Sequence, residues 1–483
     1  MRRKATLTAL PRWRRWSMVG VGQLVVFLGV ATGAMLVIAV PEIVNTFAAN
    51  EDDQQWLVAG FSLAYGLVQV PSGRLGDLWG HREVLVGGLV LYGLAGVTAS
   101  LAMSSLWLVI AVLVLGGALG AVIPQVYGLS QQLFSYEERG FTYGLLGVAV
   151  AVGIGSGPIM GGLLVDTSPA LGWRLVFLAA GIFGVLAAAL GYWLVPTTGS
   201  RGSGRISWRK ADPVGIVLLG VGVTALWLPM VEDHTLRSFD RWVSATVGVS
   251  FLVGFVFWDR QRARRGLALF YLGLLRIRSY GFGVLITLLF GAYDSLFYVL
   301  AVYLQEGVGH EPLTAGIVMA PAALGAAAGA LIGGRMVKRA GWRTVAIGLL
   351  VALSGLIVVV VADIFLPTLD SPHSAAMPLL VAGLGAGLVI SGTGSSLTFI
   401  PSETLTLSKV PTEQAGSAAG MLTTAHRFGL SAGTVIVSTA LFATLRRTGD
   451  DWLAAFRVAL LIIAGFTFLA LVANFANLWK GKP

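Results

Sequence analysis

The chain has 483 residues, 56% of them hydrophobic and 12% charged, with a formal net charge of +10. Soluble domains carry about 25% charged residues. Half that share, spread over repeated apolar runs of about 20 residues, excludes an ordinary soluble protein and indicates a chain that crosses a bilayer many times. A β-barrel is excluded too, because its strands would alternate in polarity over about 10 residues. There is no cysteine, which rules out a disulfide framework, cysteine-ligated zinc or iron–sulfur sites, and thiol catalysis.

Taken in order, the apolar runs predict fourteen helical spans at 19–41, 56–72, 84–102, 106–127, 142–165, 173–195, 213–231, 242–258, 281–304, 314–334, 344–365, 376–397, 416–444 and 452–479. The first follows Arg2, Arg3, Lys4, Arg12, Arg14 and Arg15 and is too long for a leader core, so it reads as a retained span. With both termini in the cytoplasm, the inner loops hold most of the 33 lysines and arginines. Outer loops then hold Arg174, Arg237, Arg241, Arg446, Arg447 and Arg457, and Arg427 alone falls within a span. That imbalance is the positive-inside pattern, and it accounts for the +10 charge without nucleic acid. Trp56, Trp107, Trp173, Trp242, Trp452 and Trp479 stand at span ends as interfacial anchors. Between spans eight and nine, 259–279 mixes Arg262, Arg264, Arg265, Arg276 and Arg278 with leucines, the pattern of a helix lying on the anionic inner surface. The Gly/Ser-rich stretch 197–210 reads as a connector.

The fifth span contains Gly153-Ile154-Gly155-Ser156-Gly157-Pro158-Ile159-Met160-Gly161-Gly162. Small residues let membrane helices approach closely, and a proline is tolerated there because neighbours re-satisfy the freed carbonyl; a bend is expected at Pro158. The spacing resembles the antiporter motif, G-x-x-x-G-P-x-x-G-G, of the major facilitator superfamily, with every fixed position matched by Gly153, Gly157, Pro158, Gly161 and Gly162. Gly73-Arg74-Leu75-Gly76-Asp77-Leu78-Trp79-Gly80-His81-Arg82 resembles that superfamily's loop after span two, departing from it at Leu78 and His81. The resemblance implies an inner gate built from Gly73, Arg74, Asp77, Gly80 and Arg82. Pro411–Gly420 and Gly172-Trp173-Arg174 are similar to the fourteen-span drug:proton antiporter branch.

An internal repeat accompanies these motifs. Gly140, Gly144, Gly153 and Gly157 share one register with Gly416, Gly420, Gly429 and Gly433. Gly73, Arg74, Gly80 and Arg82 share another with Gly334, Arg335, Gly341 and Arg343. The implied organisation is an all-α membrane protein: a six-helix bundle over 1–200, two inserted transmembrane helices over 201–265, and a second six-helix bundle over 266–483 that begins with the inner-surface segment. The halves differ where Pro158 becomes Thr434 and Asp77 becomes Lys338.

Two coupling residues usual in that branch are missing. The span-one acid position is Thr32, ahead of Ala39-Val40-Pro41, and 106–127 contains no charge. What remains is Asp294, midway along span nine, where an aspartate costs about 3 kcal/mol to insert. Such a residue is expected to exchange protons and organic cations at one carboxylate, or to pair with His426 or Arg427 of span thirteen. Gln23, Tyr65, Gln69, Gln125, Tyr127, Tyr293 and Tyr298 are candidates to line a cavity. The five histidines, His81, His234, His310, His373 and His426, show no metal-pair spacing, and there is no G-x-x-x-x-G-K-[ST] loop for ATP. No enzyme activity and no cofactor are therefore expected. The expectation is a monomeric, multi-pass secondary transporter of the plasma (inner) membrane that exports amphipathic or cationic organic compounds in exchange for protons, of the multidrug and antibiotic-resistance type. A non-coupled facilitator, an uptake symporter or a lipid exporter is the alternative.

Overall fold

In hydrocarbon a backbone N–H or C=O can bond only within the chain, so long apolar runs are driven into helix. The computed structural model describes residues 11–134, 136–167, 171–196, 212–231, 238–264, 272–365, 377–410 and 415–479, and these contain helices and turns with no strand. In chain order the α-helices are α1 (Arg12–Phe47), α2 (Glu51–Gln55), α3 (Phe61–Trp79), α4 (His81–Ser100), α5 (Ser105–Leu133), α6 (Tyr136–Asp166), α7 (Gly172–Leu194), α8 (Pro213–Val231), α9 (Ser238–Ala263), α10 (Arg278–Gly291), α11 (Ser295–Val302), α12 (Pro312–Met319), α13 (Pro321–Ala340), α14 (Trp342–Phe365), α15 (Met377–Leu407), α16 (Ala415–Thr448) and α17 (Trp452–Trp479). A 3-10 turn, Ala292–Asp294, joins α10 to α11 within one crossing.

Twelve helical stretches among the described residues are long and apolar enough to cross a membrane. The count of fourteen is thus not confirmed by that criterion, and the two expected spans that fall short do so for visible reasons. α3 is diluted by Ser62, Tyr65, Gln69 and Ser72, all of which are buried against neighbouring helices. In α8 the apolar stretch that counts among the described residues is Pro213–Leu226, which is short of a crossing.

Several ends also move. Gly73–Trp79, expected as loop, is the last part of α3, and the turn is confined to Gly80, whose φ of 109° favours glycine. α15 runs through Pro401 to Leu407, well past residue 397. Of the expected surface segment, 259–263 belongs to α9 and Leu272–Arg276 is a 3-10 turn, with 265–271 outside the described residues. The connector 197–210, residues 411–414 and both expected domain boundaries also lie outside them.

Glycine sets the tightest crossings. A Cβ on Gly153, Gly157 or Gly161 would lie 2.8–3.0 Å from Val30, Ala34 or Met35 of α1. The other face of α6 meets α12 and α13. There Gly162 faces the Leu313 Cα at 2.4 Å, Gly155 faces Ala323 at 2.9 Å, and Gly316 of α12 faces the Pro158 carbonyl at 2.4 Å, each distance again taken from an added Cβ. α6 runs unbroken through Pro158. In the second half, Gly429 and Gly433 of α16 press on Leu288 of α10 and Ala292 in the same manner. The register read from the sequence therefore corresponds to equivalent helix crossings. Thr434 stands where α6 has Pro158 and returns its hydroxyl to the Leu430 carbonyl at 2.9 Å.

Contacts between α1–α7 and α10–α17 gather at the end of the molecule that carries Glu51. Arg446 bonds both oxygens of Glu51, Tyr298 donates to Gln54 at 3.3 Å, Gln305 donates to the Ile38 carbonyl at 3.2 Å, and Asp166 accepts from the Leu313 amide at 3.1 Å. Further along α16, Ser431 donates to the Ala59 carbonyl, in the turn before α3, and Thr424 to the Gly66 carbonyl of α3.

Candidate transport site

The crossing that contains Asp294 is broken at Asp294 itself. Its 3-10 turn separates two α-helical segments, a departure from regular helix that recurs at functional positions within membrane spans. Its neighbours Tyr293, Ser295 and Leu296 are all buried. α16 packs directly on this break, because Gly291 has no Cβ to meet the His426 carbonyl, which would lie 2.5 Å away, and Gly429 has none to meet the Leu288 carbonyl at 1.9 Å. The backbone contact brings His426 Nε2 to 3.3 Å from Asp294 Oδ2, with the two side chains 15% and 31% exposed.

On the next position of α16, the Arg427 guanidinium lies 3.9 Å from the centre of the Tyr65 ring of α3, a cation–π contact between the two halves. Gly66 of α3 allows the approach, since an added Cβ would sit 2.9 Å from Arg427 Cβ. Of the two expected partners of Asp294, His426 is paired with it and Arg427 lies on Tyr65 instead.

One acid escaped the sequence reading. Glu403 lies near the end of α15, in a region expected to lie beyond the span that ended at residue 397. It shares a helix face with Phe399, whose ring meets His426 edge-on at 4.8 Å, and with Thr406, which packs against Gly283 of α10. Glu403 is thereby placed one helical turn from the residue that packs on His426. The available signal was the spacing 399, 403 and 406, which puts the three residues on one side of any helix that continues through the proline.

The other expected residues are distributed more widely. Tyr65 is buried beneath Arg427, and Gln69, one turn on, is buried with its Oε1 unpartnered. Gln23 donates to the Leu145 carbonyl. Gln125 is fully buried, bonded to His81 and to the Ser72 carbonyl. Tyr127 is 39% exposed, Tyr293 points to the Ala352 carbonyl, and Tyr298 reaches Gln54. Thr32, at the position of the missing acid, is fully buried and shares a 2.5 Å hydrogen bond with the Tyr92 hydroxyl.

In the gate motif, His81 is wedged between Gly76 and Gly128, where any Cβ would come within 2.4 Å of its ring. Arg82 bonds the Tyr192 carbonyl and covers its ring at 4.9 Å. Gly73 faces Pro124, and Arg74 lies on the last turns of α3. The side chain of Asp77 is outside the described residues.

Comparisons with known proteins bear on what such a site serves. The family model described as Major Facilitator Superfamily matches residues 20–434. The chain is 30% identical over 442 residues to a probable actinorhodin transporter of Streptomyces coelicolor, covering 90% of this chain and 74% of that one. It is 28% identical over 443 residues to the multidrug efflux pump LfrA of Mycolicibacterium smegmatis, covering 90% and 83%. Among solved structures, an inward-facing, occupied bacterial homologue of the lysosomal transporter Spinster aligns with a TM-score of 0.63 at 16% identity, covering 97% of each chain. A POT family transporter bound to a thioalcohol-conjugated peptide aligns at 0.68 and 16%, covering 94% and 95%. A polytopic helical chain built around a broken span, and matched by this model over most of its length, belongs to the Major Facilitator Superfamily of membrane transporters.

Proposed function

We propose that this transporter exports amphipathic or cationic organic compounds in exchange for protons, by alternating access, with Asp294 as the coupling acid. The observation that carries the reading is the Asp294–His426 pair at the break in a membrane-spanning helix, one residue from the Arg427–Tyr65 contact between the halves. Relatives named for actinorhodin transport, multidrug resistance and puromycin resistance support the export direction and the substrate class. A carboxylate in hydrocarbon is held at a cost that either a proton or an organic cation relieves, so the two compete for it. That competition couples their movements. Loss of charge on Asp294 would also weaken its pair with His426, so the pair can act as the switched contact between two arrangements.

In this reading both termini are cytoplasmic and the Glu51 end is the outer face of the plasma membrane. α3 and α8 complete a set of fourteen spans, arranged as six-helix halves over 1–200 and 266–483 with an inserted pair over 201–265, in a monomer. The contacts of Glu51, Gln54, Asp166 and Gln305 then form a closed outer gate, and the motif from Gly73 to Arg82 belongs to the inner one. One proton supplies about 1.4 kcal/mol per pH unit and about 2.3 kcal/mol per 100 mV. Exchange of one proton for one monovalent cation moves no net charge, so only the pH difference drives it. A neutral substrate gains from both.

The test is efflux from vesicles of a panel of lipophilic cations and neutral compounds, with and without a pH gradient. Asp294→Asn is expected to abolish gradient-driven efflux at normal protein level; unchanged transport removes Asp294 from the mechanism. The Thr32–Tyr92 bond, neutral where an acid is usual in the drug:proton branch, favours a second reading as a facilitator, symporter or lipid exporter. Such a facilitator would ignore a protonophore.

A further inference from the structure

We propose that the turn between α13 and α14 is a binding site for an anionic phospholipid, with the phosphate among Arg335, Lys338, Arg339 and Arg343 and an acyl chain along α13. The inference needs only that this end of the molecule lies at a membrane surface, so it stands apart from the coupling role given to Asp294.

The two halves charge this turn differently. Residues 73–83 set Arg74 and Arg82 against Asp77 and Glu83, while the stretch in register with them, 334–344, holds Arg335, Lys338, Arg339 and Arg343 and no acid. Lys338 stands where the first half has Asp77, and Thr344 where it has Glu83. The first turn of α14 therefore lacks the acid that the first turn of α4 carries. Both connections pivot on a glycine of positive φ, Gly80 and Gly341. A Cβ added at Gly80 would collide with the Glu83 carboxylate, whereas one added at Gly341 meets no described atom within 4 Å. The Thr344 hydroxyl is fully buried and has no hydrogen-bond partner among the described residues. An anion is built into the first turn and missing from the second, where a helix N-terminus favours one.

Arg335, Lys338, Arg339 and Arg343 are all exposed, and none has a hydrogen bond, ion pair or ring contact among the described residues. Arg82 of the first half, by contrast, is held by the Tyr192 carbonyl and ring. Three of the four cations line an open recess of about 590 Å³ with Gly334, Met336 and Ala340. The exposed residues of α13 indicate which anion fits. Leu324, Ala328, Leu331, Arg335 and Lys338 recur at alternating steps of four and three, so they share one helix face, and all five are exposed. From Leu324 to Arg335 is about 16 Å of helix, the depth of one leaflet's hydrocarbon at about 15 Å. The stripe is apolar as far as Leu331 and cationic from Arg335, so a single molecule that meets both parts has an acyl chain and an anionic headgroup. A soluble anion meets the second part alone. α14 repeats the pattern, with Arg343 followed on its exposed face by Ile347, Leu350 and Ile357. Topology asks for positive charge at this end, but not for the loss of both acids from the register. Basic recesses of this kind at helix ends recognise anionic headgroups.

The experiment is native mass spectrometry of the full chain, purified in non-ionic detergent and titrated with dioctanoylphosphatidylglycerol. A site is expected that takes this lipid about tenfold or more tightly than dioctanoylphosphatidylcholine. Lys338→Gln combined with Arg339→Gln, two exposed side chains, is expected to lower that affinity about tenfold or more at an unchanged melting midpoint, and Lys338→Arg to retain it. Arg335→Gln combined with Arg343→Gln is expected to act likewise, while their register mates in the first half, Arg74→Gln combined with Arg82→Gln, leave the affinity within about twofold. Equal losses from the two pairs, or equal affinity for the two lipids, would reduce the cluster to ordinary surface charge and overturn the site. Glycerol 3-phosphate is the remaining arm. Competition at the affinity of the lipid itself would make a soluble phosphate ester the occupant and overturn the lipid. Asp294→Asn is expected to bind the lipid as the wild type does, so failure of this site and failure of the coupling role are read separately.

Discussion

A lone aspartate in an apolar run is conspicuous in a sequence because its insertion cost of about 3 kcal/mol must be offset by something. Asp294 was legible for that reason. Glu403 was not, because Pro401 ordinarily ends a helix in water, whereas in a membrane the neighbours of α15 carry it through to Leu407. Arg427 and His426 were both candidates to pair with Asp294. The choice was settled by Gly66, whose bare backbone seats the guanidinium on Tyr65 instead. Arg427→Lys is expected to weaken this contact by about 1 kcal/mol, since a point charge does not stack as a planar guanidinium does. A fall of a few degrees in the thermal unfolding midpoint of the purified protein checks it. Tyr92→Phe removes the partner of Thr32 and is expected to cost about 1 kcal/mol or less, read by the same melting curve with transport retained.

At the scale of elements, α6 shows how much the glycine spacing encoded. The fixed positions of the motif divide between its two faces: Gly153, Gly157 and Gly161 touch α1, and Gly162 touches α12 beside the Pro158 carbonyl. The sequence could reveal the spacing but not that division, which depends on where the second half docks. Gly162→Val would drive a side chain into Leu313, whose Cα already lies 2.4 Å from an added Cβ. The variant is expected to disfavour closure at the Glu51 end by about 1–3 kcal/mol, visible as faster labelling of a reporter cysteine placed at Gln54.

The turn before α12 adds a pH dependence. Burial holds the His310 imidazole below its ordinary value near 6.5, and its Nε2 has no partner. A depressed histidine leaves the closed turn at full stability above that ordinary value and weakens it as pH falls through the lowered one. The same reporter is expected to label faster in acid, with the dependence lost in His310→Gln.

For the whole molecule, composition and hydropathy were enough to give the helical membrane class, and the glycine registers pointed to the close crossings of α6 on α1 and of α16 on α10. The span count was harder. α3 buries its polar residues against other helices, so its mean hydropathy understates how deeply it sits. Alternating access requires the Glu51 end to part from its partner. The chain has no cysteine, so Glu51→Cys and Arg446→Cys, whose native side chains reach each other, can be joined on a silent background by a short, reducible bis-methanethiosulfonate cross-linker. It is expected to stop transport, and reductant to restore it. Transport that continues with the bridge intact would mean that this end does not open.

α6 meets its neighbours with backbone on both sides at the level of its motif, and that has a consequence for how the protein diversifies. A bearing surface without side chains has nothing to adjust, so it serves any cargo equally and distinguishes none. Changes of drug range should accumulate on the helices that carry chemistry, α10, α15 and α16, while resistance-altering substitutions in α6 change turnover for every compound at once.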